Sequence, residues 1–146
     1  MNIRMLIDPN DPLREELDRL GIKDDPDAEY QIIKRNKGLN YVQARQEDQQ
    51  FYVDVKEIIF LESMAHDIRI HTGSDVYNTR ETLRYFETVL DSEIFLRISN
   101  SCIVNRKHIK RIESSILQKF VLHMSDGSKV DVTRSYYYAF KDAIGI

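Results

Sequence analysis

Cysteine is almost absent from this 146-residue chain, and tryptophan is absent altogether. The single cysteine, Cys102, excludes an internal disulfide bond and is typical of a protein from a reducing compartment. No run of about 18 apolar residues occurs, so the sequence predicts no membrane-spanning helix. The first residues have neither the apolar segment nor the small-residue cleavage site of a signal peptide. Together these absences predict a cytoplasmic protein.

Residue patterns that support catalysis or metal binding are also missing. The five glycines stand singly, so no glycine-rich phosphate-binding loop is present. The four histidines show no ligand spacing, and one cysteine cannot complete a structural zinc site. No motif pairs a nucleophile with an orienting base. We therefore expect no enzyme, no metal, no cofactor and no small-molecule substrate.

Cys102 itself has two interpretations. It lies between Ser101 and the apolar pair Ile103 and Val104, which favours a buried structural thiol. A redox role would require a lowered thiol pKa, for which the nearby basic residues offer only a weak argument.

Charge is distributed unevenly along the chain, whose formal net charge is −3. The segment from Asp8 to Glu29 contains nine carboxylates and three basic residues. By contrast, the stretch RISNSCIVNRKHIKR, from Arg97 to Arg111, contains five Lys or Arg and no carboxylate. It is either a solvated basic turn after a strand or a surface that binds nucleic acid. The second interpretation is open because amide, guanidinium and imidazole groups reach base edges and phosphates. The residues suited to such contacts are Asn100, Asn105, Arg106 and His108.

Hydrophobic periodicity divides the chain into two parts. In residues 1–38, NIRMLI predicts a strand, DPLREELDRLG a helix and EYQIIKRN a second strand, which is a small β-α-β-like appendage. It is too short for a phosphoacceptor domain. Residues 39–146 alternate in short strands and predict a mostly β domain.

Three details of that second part can be predicted locally. A helix in RETLRYFETVL is expected to start at a capping box of Asn78 and Glu81. A tight type I′ turn is expected at Asp126 and Gly127 in the last hairpin. A short closing helix is expected to use Ser135 as its cap.

Four segments of the chain follow a known pattern: IIFLESMAHDIRIHT, TRETLRYFETVL, FLRISNSCIVNRKHIKRI and MSDGSKVDVTRSY. In order and spacing they resemble the LytTR DNA-binding domains of bacterial transcription regulators, over about residues 40–146. The third segment contains every anchor of the family block F-x-R-x-x-x-S-x-x-V-N. The resemblance implies an elongated, mostly antiparallel β-fold of about ten short strands with one or two short helices.

The resemblance also implies a function and a set of site residues. LytTR domains insert loops into successive major grooves of double-stranded DNA, which they bind at paired sites as homodimers. By motif position, the base-reading residues correspond to His66, Asn100 and Arg134. The neighbouring residues suited to phosphate contacts are Ser101, Arg106, Lys107, His108 and Ser135.

The acidic front segment departs from the family pattern, because many members carry a phosphoacceptor receiver domain there. The chain resembles a stand-alone LytTR regulator, and some such relatives are controlled by a small membrane protein. The leading hypothesis is a sequence-specific transcription regulator. The alternative is a protein-interaction module, a degenerate LytTR fold that sequesters a partner through the acidic segment.

Overall fold

The computed structural model describes residues 2–33 and 37–146. The chain divides into two compact units, Met1–Asn36 and Lys37–Ile146. The predicted division into an acidic appendage, 1–38, and a DNA-binding domain, 39–146, stays a prediction. No helix among the described residues is both long enough and apolar enough to cross a membrane.

The first unit contains strand β1 (Ile3–Leu6), helix α1 (Pro12–Arg19) and strand β2 (Tyr30–Ile33). The two strands pair in parallel, which confirms the predicted β-α-β arrangement. The Asp11 carboxylate caps α1 by accepting from the Leu13 amide at 2.9 Å. A small core of Met5, Ile7 and Leu17 lies between helix and strands. The last three residues of the predicted strand EYQIIKRN lie outside the described residues.

The second unit is built on a seven-stranded antiparallel sheet with the spatial order β4-β3-β7-β6-β5-β9-β8. Its strands are β3 (Tyr41–Gln46), β4 (Gln49–Asp54), β5 (Ile58–Met64), β6 (Asp67–Thr72), β7 (Val76–Thr79), β8 (Phe95–Ser99) and β9 (Cys102–Asn105).

A second, three-stranded antiparallel sheet follows in the chain. It consists of β10 (Ile109–Ser115), β11 (Lys119–Met124) and β12 (Lys129–Val132). Helix α2 (Leu83–Val89) lies between β7 and β8 in sequence, and α3 (Tyr137–Ile144) closes the chain. Strands β3 to β12 are ten in number, so the predicted mostly β fold is confirmed.

The seven-stranded sheet buries a separate hydrophobic core on each face, because successive side chains of a strand point to opposite faces. In β9, Ile103 belongs to one core, whereas Cys102 and Val104 belong to the other. The first core includes Phe86 of α2, and its sheet residues come from β3 to β6, β8 and β9. The second includes Phe140 of α3 and the three-stranded sheet, and its residues on the large sheet come only from β5, β8 and β9. On the rest of that second face the side chains of Tyr41, Tyr52 and Val76 are exposed, and we call this part of the sheet the open face.

Two predicted helix caps are wrong. Asn78 lies within β7, and the residue that caps α2 is Thr82, whose hydroxyl accepts from the Tyr85 amide at 3.0 Å. Ser135 lies in a 3₁₀ turn, Arg134–Tyr136, and α3 begins after that turn without a side-chain cap. In both cases a short turn, which periodicity does not show, separates the preceding strand from the helix.

The last hairpin is confirmed, but its predicted type I′ turn is wrong. Strands β11 and β12 are joined by the four residues 125–128, and Gly127 has the left-handed φ of +88°. Asp126 does not have a positive φ, which a type I′ turn would require at both central residues. Its carboxylate instead accepts from the Ser128 amide at 2.9 Å.

Candidate nucleic-acid interface

The strand register brings several chain reversals to one end of the seven-stranded sheet. Arg45 pairs with Asn78 and Asn78 with Arg69, so these residues of β3, β7 and β6 form one row. The row continues through Glu62 of β5 and Cys102 of β9. Just beyond it lie the turns 65–66 and 100–101 and the end of β7. We call this end of the sheet the turn end.

The turn between β8 and β9 is held by the side chain of Arg97. The guanidinium Nε donates to the Ser99 carbonyl at 2.6 Å, and Nη2 donates to the Asn100 carbonyl at 2.7 Å. Its third nitrogen, Nη1, donates to the Glu87 carboxylate of α2 at 2.8 Å. Arg97 therefore joins both turn carbonyls to the helix in a fork that only a planar guanidinium can make.

The Asn100 side chain links this turn to the segment after β12. The Tyr136 hydroxyl donates to Asn100 Oδ1 at 3.3 Å. The Thr133 amide donates to the Ile98 carbonyl of β8 at 3.0 Å. These two contacts bring the 3₁₀ turn that contains Arg134 next to Asn100, although 34 positions separate the two residues in the sequence.

Ser101 connects the same turn to the β5–β6 hairpin. Its carbonyl accepts from the Ser63 amide at 2.8 Å, and its own amide donates to the Ser99 hydroxyl at 3.1 Å. Ser63 lies three residues before His66, which occupies the hairpin turn after Ala65, a residue with a left-handed φ of +55°. His66 is exposed at the turn end.

The three predicted base-reading residues therefore share one end of the sheet. His66, Asn100 and Arg134 are all exposed there, and Ser101 and Ser135 are exposed beside them. Within the described residues, the side chains of His66 and Arg134 have no hydrogen-bond or ion-pair partner. Their donor groups are accordingly available to a ligand.

The other residues predicted to contact phosphate lie elsewhere. Arg106, Lys107 and His108 form a 3₁₀ turn after β9, at the end opposite to Asn100. Four strand residues at about 3.3 Å each place Arg106 roughly 13 Å along β9 from Cys102. The structure therefore does not bring these three residues together with the turn end.

His108 and Asn105 are engaged in contacts within the protein. His108 Nε2 lies 2.8 Å from the Lys56 carbonyl and must donate to it, and Nδ1 lies within hydrogen-bond distance of the Ser125 hydroxyl at 2.8 Å. Asn105 is buried, donates to the Ile58 carbonyl at 2.9 Å and accepts from the Lys107 amide at 2.9 Å. Asn105 thus supports the turn and does not present its amide to a ligand, contrary to the grouping based on residue type.

Cys102 is buried, as predicted. It belongs to the core shared with Val104 and Phe140. Burial raises the pKa of the thiol to about 12, and the nearby Glu62 carboxylate adds to the effect. No group of three or more His, Cys, Asp or Glu within residues 2–33 and 37–146 is placed to hold a metal ion.

Arg97 is the residue that sequence reasoning missed. The charge pattern presents it only as one of five basic residues, although it occupies the Arg position of the family block three residues before Asn100. That fixed spacing was the available signal. The contacts show that Arg97 shapes the turn and does not form part of a diffuse basic patch.

Comparison with known proteins agrees with this geometry. The family model for the LytTR DNA-binding domain matches residues 48–145. The sensory transduction protein LytR of Staphylococcus haemolyticus is 33% identical over 100 residues, which are 68% of this chain and 39% of that protein. The transcriptional regulatory protein LytR of Staphylococcus aureus is 36% identical over 77 residues, which are 53% of this chain and 31% of that protein.

A solved LytTR DNA-binding domain from Bacillus cereus is similar with a TM-score of 0.72 and 28% identity, covering 75% of this chain and all of that one. The chain spans well under half the length of the two staphylococcal relatives. The family match covers most of the second unit and includes the turns that present His66, Asn100 and Arg134. On these grounds, the chain belongs to the LytTR family of DNA-binding domains.

Proposed function

We propose that this chain is a sequence-specific transcription regulator that inserts the turns of its turn end into successive major grooves of double-stranded DNA. The observation that carries the proposal is the convergence of three exposed polar side chains, His66, Asn100 and Arg134, at one end of the seven-stranded sheet. In the major groove, Arg pairs bidentately with guanine and Asn with adenine, whereas the minor groove offers a degenerate code.

The supporting contacts suit base reading. Arg97 and Tyr136 hold the backbone and the side chain of Asn100, respectively. A side chain that is fixed before binding loses less conformational entropy on binding. Asn100 and Arg134 are also tied to each other through the segment 133–136, so they would meet neighbouring base pairs as one unit.

Phosphate contacts are proposed from Ser101 and Ser135, which lie beside the reading residues at the turn end. The same role for Arg106, Lys107 and His108 remains a prediction. It requires the duplex to extend along β9 towards the opposite end of the sheet, and His108 would have to exchange its contacts with Ser125 and Lys56.

We further propose that the protein works in the cytoplasm and binds paired sites as a homodimer. Control by a small membrane protein stays a hypothesis that rests on the family resemblance. The acidic segment 1–38 offers a surface for such control, because nine carboxylates stand between Asp8 and Glu29.

Selection from a pool of random duplexes tests the proposal. We expect enrichment of a defined sequence, which should then bind at least about 1000-fold more tightly than a scrambled duplex at the same salt concentration. Binding to both duplexes with equal affinity, or no binding, would contradict it. The protein-interaction alternative would then take precedence, and the segment 1–38 would be the part to use as bait.

A further inference from the structure

We propose that Arg45, Arg69 and Arg80 form the phosphate-binding surface of the turn end and hold one DNA backbone beside the His66 hairpin. The inference rests on the proposed function, since it assigns the electrostatic part of the same DNA complex. It concerns residues from three separate segments, none of which belongs to the carboxylate-free stretch.

The three arginines line a groove of about 550 Å³ on the open face of the sheet. Arg45 and Arg69 flank Asn78 in the row described above, and Arg80 follows the end of β7. The same groove is lined by Met64, Ala65 and Asp67, which surround His66 in the hairpin. A duplex that received His66 would therefore pass over these arginines.

The guanidinium groups are available to an anion. Within the described residues, none of the three forms an ion pair within 4.0 Å, and all are exposed. Glu62 stands directly opposite Arg69 in the register, but its carboxylate binds His71 Nε2 at 2.7 Å. Arg69 is thus left without the cross-strand partner that its position would provide.

The spacing favours an extended polyanion over a small one. Arg45 and Arg69 are two strands apart, which separates their backbones by about 10 Å. A chain of phosphodiesters offers several charges along such a line, and guanidinium groups bind phosphate oxygens bidentately. Glu47 and Asp67 also line the groove, so the formal charge of its lining side chains is only +1. This small net charge distinguishes the groove from a general basic patch.

This placement differs from the one that local sequence suggests. The basic residues that follow Asn100 most closely in the chain, Arg106 and Lys107, lie at the far end of β9. The turn end instead has Arg45 and Arg69, which are distant from Asn100 in sequence. Antiparallel pairing sets both of them level with the start of β9. If the turns enter the major groove, the adjacent backbone lies over the arginine row.

The test is the salt dependence of DNA binding by the full chain with Arg45→Gln, Arg69→Gln and Arg80→Gln, alone and combined. Removing one guanidinium–phosphate pair should reduce the slope of log affinity against log salt by about 0.9, and the triple variant should lose about 2.7. The selected and the scrambled duplex should weaken by the same factor, so their affinity ratio should stay constant.

Two controls separate charge from folding. Arg84→Gln removes the same charge from α2, which packs on the other face of the sheet, and should leave the slope unchanged. A triple Arg→Lys variant keeps the charges and should retain most of the slope. Because these side chains are exposed, circular dichroism and melting temperature should match the wild-type protein for every variant.

Three outcomes are decisive. The inference would be overturned if the triple Gln variant kept the wild-type salt slope. It would also be overturned if affinity were lost only on the selected duplex, because these arginines would then read bases. If the wild-type protein does not distinguish the two duplexes but the Gln variants still lower the slope, the proposed sequence specificity fails and the phosphate surface stands.

Discussion

Replacing Arg97 by Lys tests whether the base-reading turn must be preorganised. The substitution keeps the positive charge but removes the planar fork, so an ammonium group can retain only part of the three hydrogen bonds to Ser99, Asn100 and Glu87. Any decrease in affinity therefore reports geometry rather than charge.

The expected decrease can be worked from those hydrogen bonds. A hydrogen bond from a charged donor contributes about 1.5–3 kcal/mol. For the two bonds that lysine cannot make, the low end of that range is about 3 kcal/mol in total. The Arg97 side chain is 22% exposed, so water can replace part of these bonds, and we expect a cost of about 2 kcal/mol. If this whole cost destabilises the conformation of the turn that binds DNA, the fraction of molecules in that conformation drops to about one thirtieth. Affinity for the selected duplex then falls about 30-fold.

Fluorescence anisotropy with labelled duplexes measures this effect directly. Affinity for the scrambled duplex should change little, because that binding depends on phosphate contacts. The Asn100→Ala variant provides the matched cycle: if Arg97 acts through Asn100, the double variant should lose no more affinity than Asn100→Ala alone. Equal decreases on both duplexes, or decreases that add in the double variant, would refute the positioning role of Arg97.

Three further predictions follow from single positions. Arg134→Ala should cost about 1–3 kcal/mol on the selected duplex and blur one base position when the selection is repeated, whereas an equal cost on scrambled DNA would make Arg134 a phosphate contact. Gly38→Ala should lower the stability of the second unit by at least about 3 kcal/mol in urea unfolding, because φ is +73° and a Cβ would lie 2.6 Å from the Asp91 amide nitrogen; wild-type stability would contradict that backbone conformation. Cys102 has a folded pKa of about 12 against an ordinary 9.0, so its contribution is fully present below pH 9.0 and declines as pH rises towards 12. Urea midpoints between pH 7 and 10 should therefore show a fall that Cys102→Ala reduces, and rapid alkylation of the native thiol at neutral pH would disprove its burial.

The local sequence was sufficient to predict the structure wherever a single residue determines the backbone conformation. Pro12 and Gly21 bracket α1 as predicted, since proline suits the first helical turn and Gly21 adopts a φ of +78°. Cys102 could be assigned to the core from its apolar neighbours. The family pattern identified the anchors of the β8–β9 turn. Its block F-x-R-x-x-x-S-x-x-V-N combines the two-residue period of a strand with polar residues at fixed positions.

Strand β10 was not predicted. Lys110, Arg111 and Glu113 interrupt its alternation, and none of its residues is fully buried. Burial on one face is what makes a strand visible as a period of two in sequence. A strand that is solvated on most of its surface is specified by its pairing with β11, which a local pattern does not contain.

The composition of the candidate site was decided by the tertiary structure. Asn100 and Arg106 are six positions apart and lie at opposite ends of the sheet, because the extended strand β9 separates them. Arg45, Arg69 and His66 come from different segments and share the turn end, because the antiparallel register sets them level. Sequence determines which side chains can bind DNA through their chemistry, but only strand pairing between distant segments determines which of them face it together.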